Sequence, residues 1–165
     1  VEGGLPPSAV AVAFAVNTAA VVLVQLFTLR VIRGRSRSRL MALVALLWAV
    51  TWGIIGVSIS LPPVGAVALM CVAVAIFAVG ESIWSPSVNA VVNELAPDAL
   101  RGRYNAIMGW TWSASGALGP AFAGIMLGAG RGTAWITAVV LGCLLAGVLM
   151  LRLQRLLTSR QDGTA

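Results

Sequence analysis

The chain has 165 residues, of which 59% are hydrophobic and only 10% are charged, with a net charge of +6. A soluble domain carries about 25% charged residues, so this chain has too few charges to cover a surface in water. The composition excludes a soluble globular enzyme and a disordered chain. It predicts an integral membrane protein.

The composition also limits the possible chemistry. The chain has no histidine, the commonest general base and zinc ligand. Its two cysteines, Cys71 and Cys143, both lie inside apolar runs, which predicts two buried thiols rather than a disulfide or a metal pair. We therefore expect no enzyme activity, no catalytic residues, no metal and no cofactor. Every basic residue is an arginine, a bias typical of GC-rich bacterial genomes.

Five apolar stretches are each long enough to cross the roughly 30 Å hydrocarbon core of a bilayer. They cover about residues 8–28, 40–60, 64–93, 104–127 and 133–151. The predicted fold class is all-α: an integral membrane bundle of five transmembrane helices, forming one membrane domain over residues 1–165.

The loops predict the orientation of this domain. Ten arginines lie in residues 30–39, residues 96–103 and the C-terminal segment, whereas the opposite side carries Arg131 alone. Basic loops stay on the cytoplasmic side, so we expect an external N-terminus and a cytoplasmic C-terminus in a bacterial inner membrane. The basic residues then fix topology and touch anionic lipid, and no nucleic-acid partner is expected.

Two features favour a fragment of a longer protein over a natural short protein. The chain begins with Val1. The predicted number of spans is odd, the N-terminus is predicted to be external, and no signal peptide precedes the first span. Nothing in the sequence then explains how the N-terminus crosses the membrane. A missing upstream helix would explain it.

The first span carries four polar residues, Asn17, Thr18, Gln25 and Thr28, within one arc of about 100°. Amides in hydrocarbon are costly unless they are paired or face water. Two interpretations remain open: these side chains line a cavity, or they bond to a neighbouring helix.

The third span contains a polar stripe. Glu81, Ser85 and Asn89 follow one another at intervals of four residues, and Glu81 is the only ionisable side chain inside the five spans. An intramembrane carboxylate marks a functional site by default, although a structural role with polar partners is the alternative. Trp84 either stacks on a ligand or packs in the bundle. Pro86 removes a helical hydrogen bond and predicts a kink.

The fourth span presents small residues on one face. Gly109, Gly116, Pro120 and Gly124 fall within an arc of about 80°, and Gly119 with Pro120 predicts a bend. Small residues allow close helix contact, so we expect this face to pack against another helix that slides or rocks along it.

Three segments together resemble a known family. They are Gly-Glu-Ser-Ile-Trp-Ser-Pro at 80–86, Glu-Leu-Ala-Pro-Asp-Ala-Leu-Arg-Gly-Arg-Tyr at 94–104 and Gly-Ala-Leu-Gly-Pro-Ala-Phe-Ala-Gly at 116–124. The chain resembles the C-terminal half of a major facilitator superfamily transporter of the drug-efflux type. On this resemblance the five spans correspond to helices eight to twelve of a twelve-helix fold.

The resemblance implies alternating access, with the first, third and fourth spans lining a central cavity and the second and fifth facing lipid. It implies a cytoplasmic latch at Asp98, Arg101, Gly102 and Arg103. The chain departs from the family pattern in its first loop, which has no aspartate beside its arginines. The seventh helix and the N-terminal half are also missing, so this chain provides one wall of the cavity.

The sequence therefore predicts part of a secondary transporter that moves a small, largely apolar compound, with proton-coupled efflux as the expected mode. Its expected partners are the lipid bilayer, a small-molecule substrate and the missing N-terminal half. The predicted substrate-binding residues are Asn17, Gln25, Glu81, Trp84, Ser85 and Asn89. The alternative is a multipass accessory protein that does not transport, which a polar partner-binding domain would favour.

Overall fold

The computed structural model describes residues 7–164, and they form a helical protein. The long helices are α1 (Pro7–Ile32), α2 (Arg37–Ser58), α3 (Pro63–Leu95), α4 (Arg101–Gly128) and α5 (Gly132–Leu153), and α6 (Ser159–Asp162) is a single turn. Short 3-10 turns, Asp98–Leu100 and Gln154–Leu156, precede α4 and follow α5. These residues contain no strand, which confirms the all-α class. The predicted external segment, residues 1–7, lies outside the described residues except for Pro7.

Each predicted span coincides with one long helix. Three segments are long and apolar enough to cross a membrane: α2, α3 and α5 with its following turn, Gly132–Leu156. In α1 the apolar stretch is shorter, Val10–Gln25. α4 carries arginine, asparagine, serine and threonine among its apolar residues. Membrane crossing by α1 and by α4 therefore stays a prediction.

The helix boundaries follow from local chemistry. Gly34 has φ +70° in the turn between α1 and α2, and Gly130 has φ +67° between α4 and α5. Glycine adopts this left-handed conformation without steric cost. Ser36 caps α2, because its hydroxyl accepts a hydrogen bond from the Arg39 amide at 3.2 Å. Pro63 begins α3, where its missing N–H costs nothing.

α2 occupies the centre of the packing, between α3 and α5, while α1 packs against α3. The core consists of Leu40, Val44 and Ile83, with Trp48 and Trp84 packed against it. The second span was expected to face lipid, and α2 does expose one row of apolar side chains: Leu43, Leu46, Val50 and Val57. Its other faces nevertheless hold much of the core.

Two of the hydrogen bonds that join the packed helices in the described residues involve buried hydroxyl groups. Thr51 on α2 donates to the carbonyls of Leu47 and of Ala73 on α3, at 3.0 and 3.3 Å. The Thr28 hydroxyl on α1 lies 3.3 Å from the Ser82 hydroxyl on α3. For Thr28 the bonding interpretation of the first span is therefore correct. Buried hydroxyls that find partners across helices hold the helices together.

Candidate functional site

A cavity of about 350 Å³ lies between α2, α3 and α4. Its walls combine four aromatic rings with one carboxylate and a few hydroxyl and thioether groups. They are formed by Trp48, Phe77, Glu81, Trp84, Met108, Thr111, Trp112 and Ser115. Ligand cavities are mostly apolar with a few placed polar groups, and this cavity has that composition.

The aromatic wall is held in place by ring contacts. Trp48 stacks on Phe77 with ring centroids 5.1 Å apart and planes 15° apart. It also meets Trp84 at 5.7 Å and 49°. The Trp48 indole N–H donates to the Phe77 carbonyl at 3.4 Å, so its polar end has a partner. These contacts fix the orientation of Trp48 from several sides.

Gly80 makes room for the Trp48 ring. A Cβ at position 80 would lie 2.6 Å from Nε1 and 3.0 Å from Cδ1 of Trp48. Such contacts are well inside van der Waals distance, so only glycine lets the ring approach α3 this closely. Gly80 immediately precedes Glu81 in the same helix turn. The close approach of the Trp48 ring to Gly80 therefore brings the ring to the part of α3 that carries the Glu81 carboxylate.

Glu81 is the only ionisable residue in the wall of this cavity, and it is exposed. The Trp84 indole nitrogen is buried with no hydrogen-bond partner among the described residues. The described part of the chain contains no group of His, Cys, Asp or Glu that could hold a metal ion. One carboxylate beside several π faces can bind an apolar or aromatic molecule and interact with a positive charge on it.

The structure brings together two of the six predicted substrate-binding residues. Glu81 and Trp84 line the aromatic cavity. Ser85 and Asn89 are exposed on α3 as the stripe predicted, but they are not part of the cavity wall. On α1, Gln25 is exposed, and the Asn17 side-chain oxygen is buried without a hydrogen-bond partner among the residues described.

The small residues of α4 face open space in this chain. A Cβ added at Gly109, Gly116, Gly119 or Gly124 would meet nothing within 4 Å. α4 has no buried residue in the described part of the chain and touches α3 and α5 only sparsely. The predicted close contact at this face is therefore not made with any described helix. α4 continues through Pro120, as α3 does through Pro86.

The predicted latch residues divide into two pairs. Asp98 and Arg101 form an exposed ion pair at 2.9 Å and line a polar groove with Arg160 of the C-terminal turn. Gly102 and Arg103 lie in the first turn of α4, where Arg103 borders an apolar cavity that also contains Trp110.

The C-terminal turn, α6, has no role predicted from the sequence, although the structure packs it against α2. Asp162 is 5% exposed, and its Oδ1 accepts hydrogen bonds from the Ser38 amide at 2.9 Å and the Ser38 hydroxyl at 2.7 Å. Arg37 donates to the Gln161 carbonyl at 3.1 Å. An acid from the end of the chain thus meets the first loop, where the sequence has no aspartate of its own. The available signal was Thr158 followed by Gln161, which form a capping box.

Burial and hydrogen bonds have opposite effects on the pKa of Asp162. Burial would raise the pKa of its carboxyl group, but hydrogen bonds from Ser36, Ser38 and Gln154 outweigh this effect. The pKa of Asp162 is therefore below its ordinary value. The ionised carboxylate lies at the N-terminus of α2, where the helix dipole favours negative charge.

The fold and the cavity define a helical membrane protein with a small, mostly aromatic cavity beside one carboxylate. The family model of the Major Facilitator Superfamily matches residues 2–164, so the chain belongs to that family, a family of transporters. The chain is similar to the uncharacterized MFS-type transporter YhjO of Bacillus subtilis (strain 168), with 32% identity over 80 residues. That match covers 48% of this chain and 20% of the relative. No solved structure matches the chain.

Proposed function

We propose that the chain is the C-terminal half of a drug-efflux-type secondary transporter, which exports a small, largely apolar compound by alternating access and is driven by protons. The observation that carries this proposal is the aromatic cavity with Glu81 in its wall. Its rings supply apolar contact, and its one acid can exchange a proton or pair with a positive charge. Family membership supports the transport class.

The open face of α4 supports a role for a missing N-terminal half. Trp110 and Trp112 are exposed on this helix, and no described helix covers its glycines. In a transporter built from two halves, substrate binds where the halves meet. We propose that the other half packs against α4 and closes the aromatic cavity from the far side.

The arginine distribution supports an orientation. Ten of the eleven arginines lie in residues 30–39, residues 96–103 and the C-terminal segment, and the loops on the other side of the membrane carry only Arg131. By the positive-inside rule, we expect these segments on the cytoplasmic side. We propose a bacterial inner-membrane protein with a cytoplasmic C-terminus, in which the groove beside Asp98 and Arg101 acts as part of a cytoplasmic latch.

Glu81→Gln in the full-length protein tests the proposed mechanism. We expect transport to fall at least tenfold and its dependence on a pH gradient to disappear, because the amide keeps the shape of the side chain but cannot titrate. The matched control is Glu94→Gln, which removes an acid of the same helix that pairs with Arg160 outside the cavity. Because Glu94 also borders the groove of the proposed latch, the comparison uses the pH dependence and not the transport rate: Glu94→Gln should keep the wild-type dependence on the pH gradient.

Transport is measured in inverted vesicles with an imposed pH gradient, at expression levels matched by blotting. If Glu81→Gln transports normally with the same pH dependence, Glu81 has a structural role and the proposed coupling is wrong. If the wild-type protein moves no compound in a panel of apolar and cationic dyes, the drug-efflux type is wrong as well.

A further inference from the structure

A second cavity, of about 330 Å³, lies where the loop between α1 and α2 meets α3. Three arginines of this region, Arg33, Arg35 and Arg37, contribute to its wall, and Ser87 contributes from α3. It shares no lining residue with the aromatic cavity. We refer to it as the arginine cavity.

The charge of the arginine cavity is largely uncompensated. The two ion pairs in the described part of the chain use Arg101 and Arg160, and neither involves an arginine of this cavity. Arg37 is oriented by its bond to the Gln161 carbonyl, while Arg33 and Arg35 are exposed. The neighbouring acid, Asp162, already accepts two bonds from Ser38.

Ser87 gives a second and independent indication of a ligand. The residue is 2% exposed, and its hydroxyl has no hydrogen-bond partner among the residues that the structure describes. A buried hydroxyl without a partner costs free energy. Because Ser87 borders the arginine cavity, an oxygen atom of a molecule in that cavity can accept a hydrogen bond from its hydroxyl group.

We propose that the arginine cavity binds a phosphate group. Guanidinium groups bind phosphate oxygens in pairs, and a serine hydroxyl donates to the remaining oxygen. The rest of the wall is apolar, with Ile32, Leu40 and Ala90, which suits the glycerol and first acyl carbons of a phospholipid. The shared chemistry is the phosphate, and its source is either an anionic lipid headgroup or a free phosphate. This proposal does not depend on the transport proposal.

The test uses the full-length protein in neutral detergent and follows its thermal unfolding. Phosphatidylglycerol, phosphatidylcholine and inorganic phosphate are added separately at constant ionic strength. We expect saturable stabilisation by phosphatidylglycerol. Replacing Arg33 and Arg35 by Gln should weaken apparent binding about fivefold for each arginine. The matched control is Arg155→Gln, an exposed arginine outside the cavity, which should change binding less than twofold.

Ser87→Ala separates binding from folding. Without added phosphate or lipid this variant should unfold at the same temperature as the wild type or higher, because it removes a hydroxyl without a partner. Its apparent affinity should fall at least threefold. A purely structural serine would show the reverse pattern, with lower stability and unchanged affinity.

The probes distinguish the two sources of phosphate. Stabilisation by phosphatidylglycerol alone identifies a lipid headgroup, while stabilisation by inorganic phosphate, with competition against the lipid, identifies a free phosphate. The proposal is overturned if none of the probes stabilises the wild type. It is also overturned if Arg155→Gln weakens binding as much as the change of Arg33 and Arg35, because binding would then reflect diffuse surface charge.

Discussion

Asp162→Asn tests whether charge holds the C-terminal turn against α2. The wild-type carboxylate accepts two hydrogen bonds from Ser38, at 2.9 and 2.7 Å, in a site where Asp162 is only 5% exposed. The asparagine keeps an oxygen that can accept hydrogen bonds but loses the negative charge. The variant therefore changes the electrostatics of the contact with little change in its shape.

The size of the effect follows from the two bonds. A hydrogen bond to a charged group is worth about 1.5–3 kcal/mol and a neutral one about 0.5–1.5 kcal/mol, so two bonds lose roughly 2 kcal/mol. The helix dipole at the start of α2 adds about 0.3–1 kcal/mol. A total of about 2–3 kcal/mol raises the opening equilibrium of the turn roughly 30- to 150-fold.

Limited trypsin digestion measures this opening, because cleavage after Arg160 requires the turn to leave α2. When opening is fast relative to cleavage, the initial rate reports the open population, and mass spectrometry resolves this site from other cleavages. The control is Asp98→Asn. It breaks an ion pair whose side chains are 58% and 92% exposed, and it should change the rate at Arg160 less than twofold.

The pH dependence has a definite sign. Since the pKa of Asp162 is lowered in the folded protein, its stabilisation is complete above the ordinary aspartate value of about 3.9 and is lost as the pH falls through the lowered pKa. Protection of the turn should therefore be constant near neutral pH and fall in acid. A protease active in acid, such as pepsin, follows the acid limb. Equal cleavage of wild type and Asp162→Asn at neutral pH would refute the reasoning and assign the contact to packing.

Two further substitutions test the helix packing. Gly80→Ala should lower the thermal unfolding temperature and shift the tryptophan emission spectrum, because the new methyl group would lie 2.6 Å from the Trp48 indole nitrogen. Gly53→Ala, where nothing lies within 4 Å, should leave both unchanged, and equal behaviour of the two variants would contradict the proposed clash. Thr51→Val should cost about 0.5–1.5 kcal/mol of unfolding free energy, because its hydroxyl bonds to a carbonyl on α3. The control Thr137→Val loses only a hydrogen bond within its own exposed helix, so it should lower the unfolding free energy less. Urea unfolding in mixed micelles compares the unfolding free energies of the two variants.

The helices could be predicted from the sequence because their determinants are local. Apolar length, the proline pair at the start of α3 and the glycine turns determine where the chain is helical. Each predicted span coincides with one long helix, and only the second extends past its helix, by the two residues that follow Ser58. The exposed positions of Glu81, Ser85 and Asn89 also follow from helical periodicity. Helical periodicity places a residue on a face of its own helix. It does not determine which helix packs against that face.

The aromatic cavity could not be predicted from the spacing of residues along the sequence. Trp48 and Glu81 are 33 residues apart in the sequence. They line one cavity because Gly80 lets the indole approach α3. Trp112 joins them from a third helix. Contacts between distant segments depend on packing of several helices at once. The sequence predicts Glu81 and Trp84 as binding residues, and this role stays a prediction. It does not identify the three other rings that line the same cavity.

The Asp162 contact follows from a conflict at the start of α2. Arg37 and Arg39 lie in the first turn of this helix, where the dipole disfavours positive charge. The positive-inside rule nevertheless favours arginines in this loop. The carboxylate of Asp162 compensates locally, because it binds the Ser38 amide between the two arginines. One carboxylate cannot neutralise the charge of the five arginines in residues 30–39. Arg33 and Arg35 therefore remain available to bind a phosphate. Removing Asp162 should therefore loosen the C-terminal turn and increase the positive potential of the arginine cavity together.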